Sequence, residues 1–353
     1  MSSKYGDFYA IPRWGFPKQE AKDNVPSPAQ FVPEYLNDPA LLERGYYMEE
    51  LGDGFYWVTC PSGYHAAFML TGEGVIVIDA PPTLGENLIA AIESVTDEPV
   101  AKLVYSHWHA DHIGAASMFG PKVEYVAHDI TRELLQRFPD PYRPVPTETF
   151  TSDAELELGG VRLELSYKGA DHTPGNIYAW APAQKVLTKI DIVSPGSVTF
   201  MHADASENIS GFFQAHDDIL SYDFKALVGG HISRWGTRAD VEEAREYWHD
   251  VRDFADEAIK ELSAPEVSKG FLTGLGREHQ LVGAENWMNS MANYITEKTL
   301  TKKTSDGRTW PERLAGATPF TKYHAYTVME SSRLERTHHG YQRRGSGGPW
   351  YVA

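Results

Sequence analysis

The chain has one cysteine, Cys60, in 353 residues. That excludes an intramolecular disulfide and any cysteine-rich metal site. Cys60 sits in an aromatic, strand-like stretch and reads as a buried small hydrophobe rather than a reactive thiol. Basic charge is also scarce: 32 Lys and Arg stand against 49 Asp and Glu, a net charge of -17. A surface this acidic repels phosphate-rich partners unless a local basic patch exists, and only the Arg343-Arg344 pair offers one. This argues against a nucleic-acid partner and against a nuclease. Long apolar runs are missing, since none approaches the ~20 residues that a membrane span needs. The start, Met1-Ser2-Ser3-Lys4-Tyr5, has no apolar signal core. The expectation is a cytoplasmic protein with no membrane partner and no internal repeat, long enough for one large domain or two.

What is abundant is histidine in one place. His107-Trp108-His109-Ala110-Asp111-His112 follows the strand-like Lys102-Leu103-Val104-Tyr105 and precedes a small-residue helix start, Ile113-Gly114-Ala115-Ala116. Alternate residues of an extended segment point the same way, so His107 and His109 can converge. Asp111 and His112 come after the turn and can face a second point nearby. Imidazole with carboxylate suits zinc and other borderline divalent metals. One such histidine would read as a surface group. Three with an aspartate behind an apolar strand need partners.

The rest of the chain repeats this delivery of ionisable residues from strand ends. Residues 1–45 are rich in Pro and aromatics (Tyr9, Pro12, Trp14, Phe16, Pro17, Pro26) and read as an arm that packs on its own domain or a neighbour. A meander follows: Phe55 to Thr59, Ala66 to Leu70 and the continuously apolar Val75 to Ile78, ending at Asp79. Thr83 and Glu86 suggest a capping box for a helix with Leu88, Ile89, Ile92 and Val95 on one face. Val123 to Ala127 reads as a strand and Ile130 to Phe138 as a helix. Leu156 to Leu158 and Val161 to Leu165 alternate around Gly159-Gly160 as a hairpin. It leads to His172 in Gly169-Ala170-Asp171-His172-Thr173-Pro174-Gly175. Ile177 to Trp180 and Val186 to Ile190 lead to Asp191, and Ala226 to Val228 leads to His231.

Residues 194–208 look like a long loop over the site. Helices are expected from about Ser210 to Tyr222, and from Thr237 and Asp240 onward, with Val241, Ala244, Trp248, Val251, Ala255, Ile259 and Leu262 on one face. Beyond Pro265, Trp287 to Ile295 and Phe320 to Arg336 suggest further helices. Among the remaining histidines, His65 and His202 lie near turns that could face the cleft. Trp108 either walls a pocket or packs in the core.

The run His107 to His112, with His172, Asp191 and His231 in that order, resembles the His-x-His-x-Asp-His signature of the metallo-β-lactamase superfamily over roughly residues 50–236. The resemblance implies an α/β fold, an αββα sandwich spanning 46–264. The Pro-rich arm precedes it and a helical extension, 265–353, follows. It implies one metal on His107, His109 and His172 and another on Asp111, His112 and His231, with Asp191 bridging. Asp79 would act behind the ligands and orient a histidine. Two Zn2+ ions are implied, with Fe or Mn as alternatives. The activity implied is hydrolysis of a small ester, lactone, amide or related electrophile by a metal-bound hydroxide, with Asp111 passing a proton to the leaving group. An iron-dependent oxidoreductase and a non-catalytic metal-binding protein stay open.

Two residues depart from the family pattern. Ile190 before Asp191 is expected to retilt the bridging carboxylate, and Asp171 before His172 to add a carboxylate near the metals. Ser194 stands where the lactonase branch tends to have a tyrosine, and the basic cluster of a glyoxalase II-type thioesterase is missing. The aromatic tail either closes one wall of the cleft and joins a homodimer, or completes the core.

Overall fold

A computed structural model describes residues 43–232, 234–262 and 280–335. Nearly all of the Pro-rich arm, the Arg343-Arg344 pair and the C-terminal end lie outside them. Two sheets pack face to face. The first has seven strands in sequential order: β1 (Tyr47–Gly52), β2 (Phe55–Thr59), β3 (His65–Leu70), β4 (Val75–Ile78), β5 (Val100–Val104), β6 (Glu124–His128) and β7 (Glu148–Phe150). β1 to β4 pair antiparallel and β4 to β7 parallel. The second sheet, in the order β12-β11-β10-β9-β8, contains β8 (Asp153–Leu158), β9 (Val161–Ser166), β10 (Tyr178–Ala181), β11 (Val186–Thr188) and β12 (Ala226–Val228). Only β11 and β12 run parallel there.

Alternation along the strands divides the apolar side chains among three layers. Phe55 and Trp57 of β2, Ile76 and Ile78 of β4, and Leu163 and Leu165 of β9 meet between the sheets. Val75 and Val77, from the same β4, pack outward with Leu88, Ala91 and Ile92 of α1 (Glu86–Glu93). The unbroken apolar run of β4 is therefore buried on both faces, as a central strand covered by a helix on one side and the second sheet on the other requires. The outer layer on the first sheet also takes Leu135 of α3 (Asp129–Arg137), which follows the short α2 (Ala110–Ile113).

On the second sheet the layer comprises α4 (Ile209–Leu220), α5 (Arg238–Glu261), α6 (Gln280–Thr301), α7 (Trp310–Arg313) and α8 (Ala317–Glu335). Helix α5 starts at a full capping box between Thr237 and Asp240. It buries Val241, Ala244, Trp248, Val251, Ala255 and Ile259, as its period demands. The tail joins this same cluster through Trp287, Met291 and Ile295 of α6, Trp310 of α7, and Val328 and Met329 of α8. Burying each such side chain is worth ~1.5–3 kcal/mol. The tail is thus core packing as well as surface.

Three local features differ from the sequence reading or were absent from it. Thr83 and Glu86 form no capping box: the chain first turns tightly, with Leu84 N and Gly85 N donating to Pro81 O, so Gly85 takes the N-cap position without a side-chain cap. Edge strands β1 and β7 carry no alternating apolar signal, because each is half-exposed at the rim of its sheet. The loop 194–208 contains an unexpected left-handed turn, with φ between 55° and 59° from His202 to Ala205. Among the described residues, no helix is long and apolar enough to cross a membrane.

Candidate metal centre

The carboxyl ends of β4, β5, β11 and β12 lie on one edge of the sandwich, where open sheets commonly bind ligands. Asp79 leaves β4 in the left-handed region, at φ 61°. Its Oδ1 accepts a hydrogen bond from Ser106 N at 2.8 Å. This fastens the backbone one residue before His107. Asp79 thus reaches the metal motif through Ser106. Ser106 Oγ lies 2.9 Å from His107 Nδ1, leaving the buried Nε2 without a hydrogen-bond partner.

His109 is the N-cap of α2, and that turn sends His112 inward and Asp111 to the surface. Gly114 closes the turn because a Cβ there would sit 2.3 Å from Ala110 O and 2.8 Å from Pro82 Cγ. Across the site, His172 Nε2 lies 3.0 Å from His109 Nδ1, and His112 Nε2 lies 3.2 Å from His231 Nε2.

Asp191 is the hub. Its Oδ2 lies 3.5 Å from His107 Nε2, 3.1 Å from His112 Nε2 and 3.2 Å from His172 Nε2, while Oδ1 lies 3.2 Å from His231 Nε2. Ile190 does not crowd it. The Ile190 side chain belongs to the inter-sheet core, and Gly230 supplies the space. A Cβ at Gly230 would stand 2.7 Å from Ile190 Cγ2 and 2.8 Å from Asp191 Oδ1.

Asp171 does not add its carboxylate to the cluster either. Its Oδ2 pairs with the buried Lys189 Nζ at 2.6 Å, and its Oδ1 accepts from His172 N and Asn176 Nδ2. A buried carboxylate with a matched cation and two donors is fully occupied.

Two residues at the site, Tyr64 and Asp204, escaped the sequence reading. Tyr64, between β2 and β3, sets its ring edge-on to His231 with centroids 4.6 Å apart, and donates its hydroxyl to Asp111 Oδ2 at 3.4 Å. Its neighbour His65 is wholly buried, with its Nε2 bonded to Ile232 O and its backbone N donating to Gly230 O at 2.9 Å. His65 therefore fixes the loop bearing His231 rather than facing the cleft. Asp204, on the left-handed turn, reaches 3.8 Å from His231 Nε2. Only its place in the long loop could have flagged it. His202 faces away, bonded through Nδ1 to Thr327 Oγ1 on α8. Trp108 lies half-buried beside His109, with the exposed Phe138 ring 6.0 Å away.

The charges are strongly biased. Burial pushes His107 well below its usual range and His172 down to about 4. Burial opposes charge on His112 too, but Asp191, Asp111 and Asp79 outweigh it and raise His112 to about 10. His231 also rises, because Asp191 overcomes its burial. Burial alone would lift Asp191, yet His112, His172 and His231 hold it well below the carboxylate range. Burial and then Asp191 push Asp204 up to about 7, and burial followed by Asp111 pushes the Tyr64 phenol up to about 12.

The donor set fits divalent metal. The donor atoms of His107, His109, His172 and Asp191 lie within 4.8 Å of one another, as do those of Asp111, His112 and His231, and those of Asp191, Asp204 and His231. Facing nitrogens such as those of His109 and His172 share at most one proton when neutral, whereas a cation satisfies both lone pairs.

The metallo-beta-lactamase superfamily model matches residues 61–255. The chain is 26% identical over 235 residues to the 2,4-dinitroanisole O-demethylase subunit alpha of Nocardioides sp. (strain JS1661), covering 65% of this chain and 69% of that one. It is 27% identical over 190 residues to the metallo-beta-lactamase type 2 of Bacillus cereus, covering 50% of this chain and 72% of that one. A solved metallo-beta-lactamase from Pontibacter korlensis superposes with a TM-score of 0.49 at 22% identity, over 57% of this chain and 97% of that one. Matched by the family over more than half its length, the chain belongs to the metallo-β-lactamase superfamily.

Proposed function

We propose that the chain is a metal-dependent hydrolase of a small organic electrophile, using two divalent ions, zinc foremost. The observation that carries this is the Asp191 carboxylate within 3.5 Å of four imidazoles. His107, His109 and His172 would hold one ion, and Asp111, His112 and His231 the other, with Asp191 shared. Bound there, the ions supply Lewis-acid charge and acidify water. Asp79 and Ser106 keep His107 turned to the site. Asp111, exposed at the rim, hands a proton to the leaving group, and the Tyr64 hydroxyl steers that carboxylate. Tyr64 stays protonated across the working range and serves as a donor. Trp108 and Phe138 offer an apolar flank beside His109, which suits an aromatic or apolar substrate.

The substrate class includes esters, lactones and amides. The name of the Nocardioides relative, a 2,4-dinitroanisole O-demethylase subunit, would extend it to electron-poor aryl ethers. Water oxygen would bond to the ring carbon, and the alkoxide would leave with a proton as an alcohol. A second reading, an iron-dependent oxidoreductase, draws support from the carboxylates Asp111, Asp191 and Asp204 beside His112 and His231.

Turnover of aryl esters, lactones, amides and 2,4-dinitroanisole in 18O-labelled water, with oxygen uptake recorded, separates the two. Label in the product without oxygen uptake supports hydrolysis. Oxygen consumed in step with turnover supports the second reading and overturns the first.

A further inference from the structure

The two sides of the centre are unequal, and the inequality comes from a segment outside the expected ligand set. One side presents three imidazoles, His107, His109 and His172, with Asp191. The other side has Asp111, His112 and His231 in one donor group and Asp191, Asp204 and His231 in a second, the two joined by His231. Asp204 lies 3.8 Å from His231 Nε2, and its donor oxygen falls within 4.8 Å of the donor atoms of Asp191 and His231.

What brings Asp204 there is a costly backbone. His202, Ala203, Asp204 and Ala205 all have φ between 55° and 59°, and none is glycine. Left-handed backbone brings Cβ too close to the following carbonyl oxygen in every such residue. Strain of this kind persists only where surrounding contacts over-determine it.

Those contacts come from the tail. His324 Nε2 on α8 donates to Phe200 O at 3.0 Å, and the Phe200 and Phe320 rings pack with centroids 5.2 Å apart. His202 Nδ1 bonds Thr327 Oγ1 at 3.0 Å, and its ring packs on Tyr323. Ala315 closes the base of the loop, its N donating to Gly196 O and its O accepting from Val198 N and Ser197 Oγ. On the far side of the turn, Glu207 N donates to His172 O and Asn208 N to Asp171 O. The turn is therefore pinned between α8 and the metal-site loop, with Asp204 as the carboxylate it presents.

We propose that Asp204 is a further ligand for the ion on the His112 and His231 side, positioned by the C-terminal helix α8. The inference rests on the dinuclear reading of the same centre. Oxygen-rich sites favour ions such as Mn2+ over Zn2+, relative to imidazole-rich ones. The two sides then differ in selectivity: the three-histidine side prefers zinc, and the carboxylate-rich side tolerates manganese. The tail, remote in sequence from the metal motif, would thereby set the affinity of one of the two sites.

The test is calorimetric titration of metal-stripped full-length protein with zinc and with manganese, for wild type and Asp204→Asn, with folding checked by circular dichroism. The expected result is a second equivalent weakened tenfold or more in Asp204→Asn, with the first unchanged and the loss larger for manganese. Asp204→Glu should recover part of it. Two equivalents bound with wild-type affinity by Asp204→Asn would overturn the proposal. If wild type binds only one equivalent, the dinuclear reading itself fails, and Asp204→Asn leaving that equivalent untouched overturns this inference too. Should Asp204→Asn not fold, Tyr323→Ala, at an exposed position on α8, reads the same coupling. A weakened second equivalent supports it, and an unchanged one overturns it.

Discussion

Lys189 Nζ lies 2.6 Å from Asp171 Oδ2 in a fully buried ion pair, one residue before His172 and two before Asp191. The same ammonium donates to Asn176 O at 3.0 Å and stands 4.2 Å from the centroid of the Tyr178 ring. Two of the residues at the centre of the site therefore hang from one electrostatic fastening between the β9–β10 connection and the end of β11.

Removing one member of that pair leaves a buried charge unpaired, at a cost of about 3–5 kcal/mol. Lys189→Met is expected to lower unfolding free energy by that amount and to weaken metal uptake through His172. Lys189→Met with Asp171→Asn should recover much of the stability, because the double change removes both charges. Denaturant unfolding measures both, and a Lys189→Met variant as stable as wild type would contradict the arrangement.

Metal uptake should release protons. His112 is raised to about 10, so it carries a proton at neutral pH, and a ligating nitrogen must lose it. Affinity should therefore rise with pH from neutrality toward 10. Calorimetric titration at pH 7 in buffers of different ionisation enthalpy should show at least one proton released as the His112 side fills. Buffer-independent heats would contradict this.

Acid should loosen the contact between the tail and the loop. His324 is held down to about 4 by burial, against an ordinary value of 6.5. Its Nε2 donates to Phe200 O while its Nδ1 accepts from the Tyr247 hydroxyl at 2.8 Å, an arrangement open only to the neutral ring. The unfolded chain binds this proton below 6.5 and the folded chain only below about 4, so stability falls as pH drops through that window. The loss is on the order of 3 kcal/mol. His216, likewise held near 4 by burial, adds the same sign. Melting from pH 6.5 to 4 should show a shallower slope in His324→Gln than in wild type. Equal slopes would remove His324 from the account.

Deleting residues 280–353 should abolish folding rather than yield a trimmed, folded domain. Trp248, Val251 and Ile259 of α5 pack in one cluster with Trp287, Met291, Ile295 and Val328 of the tail. A deletion variant that is monomeric, soluble and melts cooperatively would contradict this.

The layered architecture and most of the site were legible because period and strand-end position carry the information. β4 is apolar without a break, α5 keeps a helical period behind Thr237, and His107, Asp191 and His231 each follow an apolar strand. What escaped depends on partners distant in sequence. Asp171 looked like an extra carboxylate beside the metals because Lys189 cannot be paired with it from spacing alone. Ile190 looked obstructive because the space for it is made by Gly230, which lies across the site. Asp204 had no motif around it, since its placement depends on a left-handed turn held by α8. Tyr64 lay in a turn whose packing on His231 no local pattern encodes.

The most direct test of the metal centre is elemental analysis of full-length wild type and Asp191→Ala, each purified without chelator and checked for folding. The shared position of Asp191 predicts about two divalent ions per wild-type chain, following the two-metal arrangement, and fewer than one in Asp191→Ala. Asp191→Ala that stays folded and keeps the full wild-type complement would contradict the account.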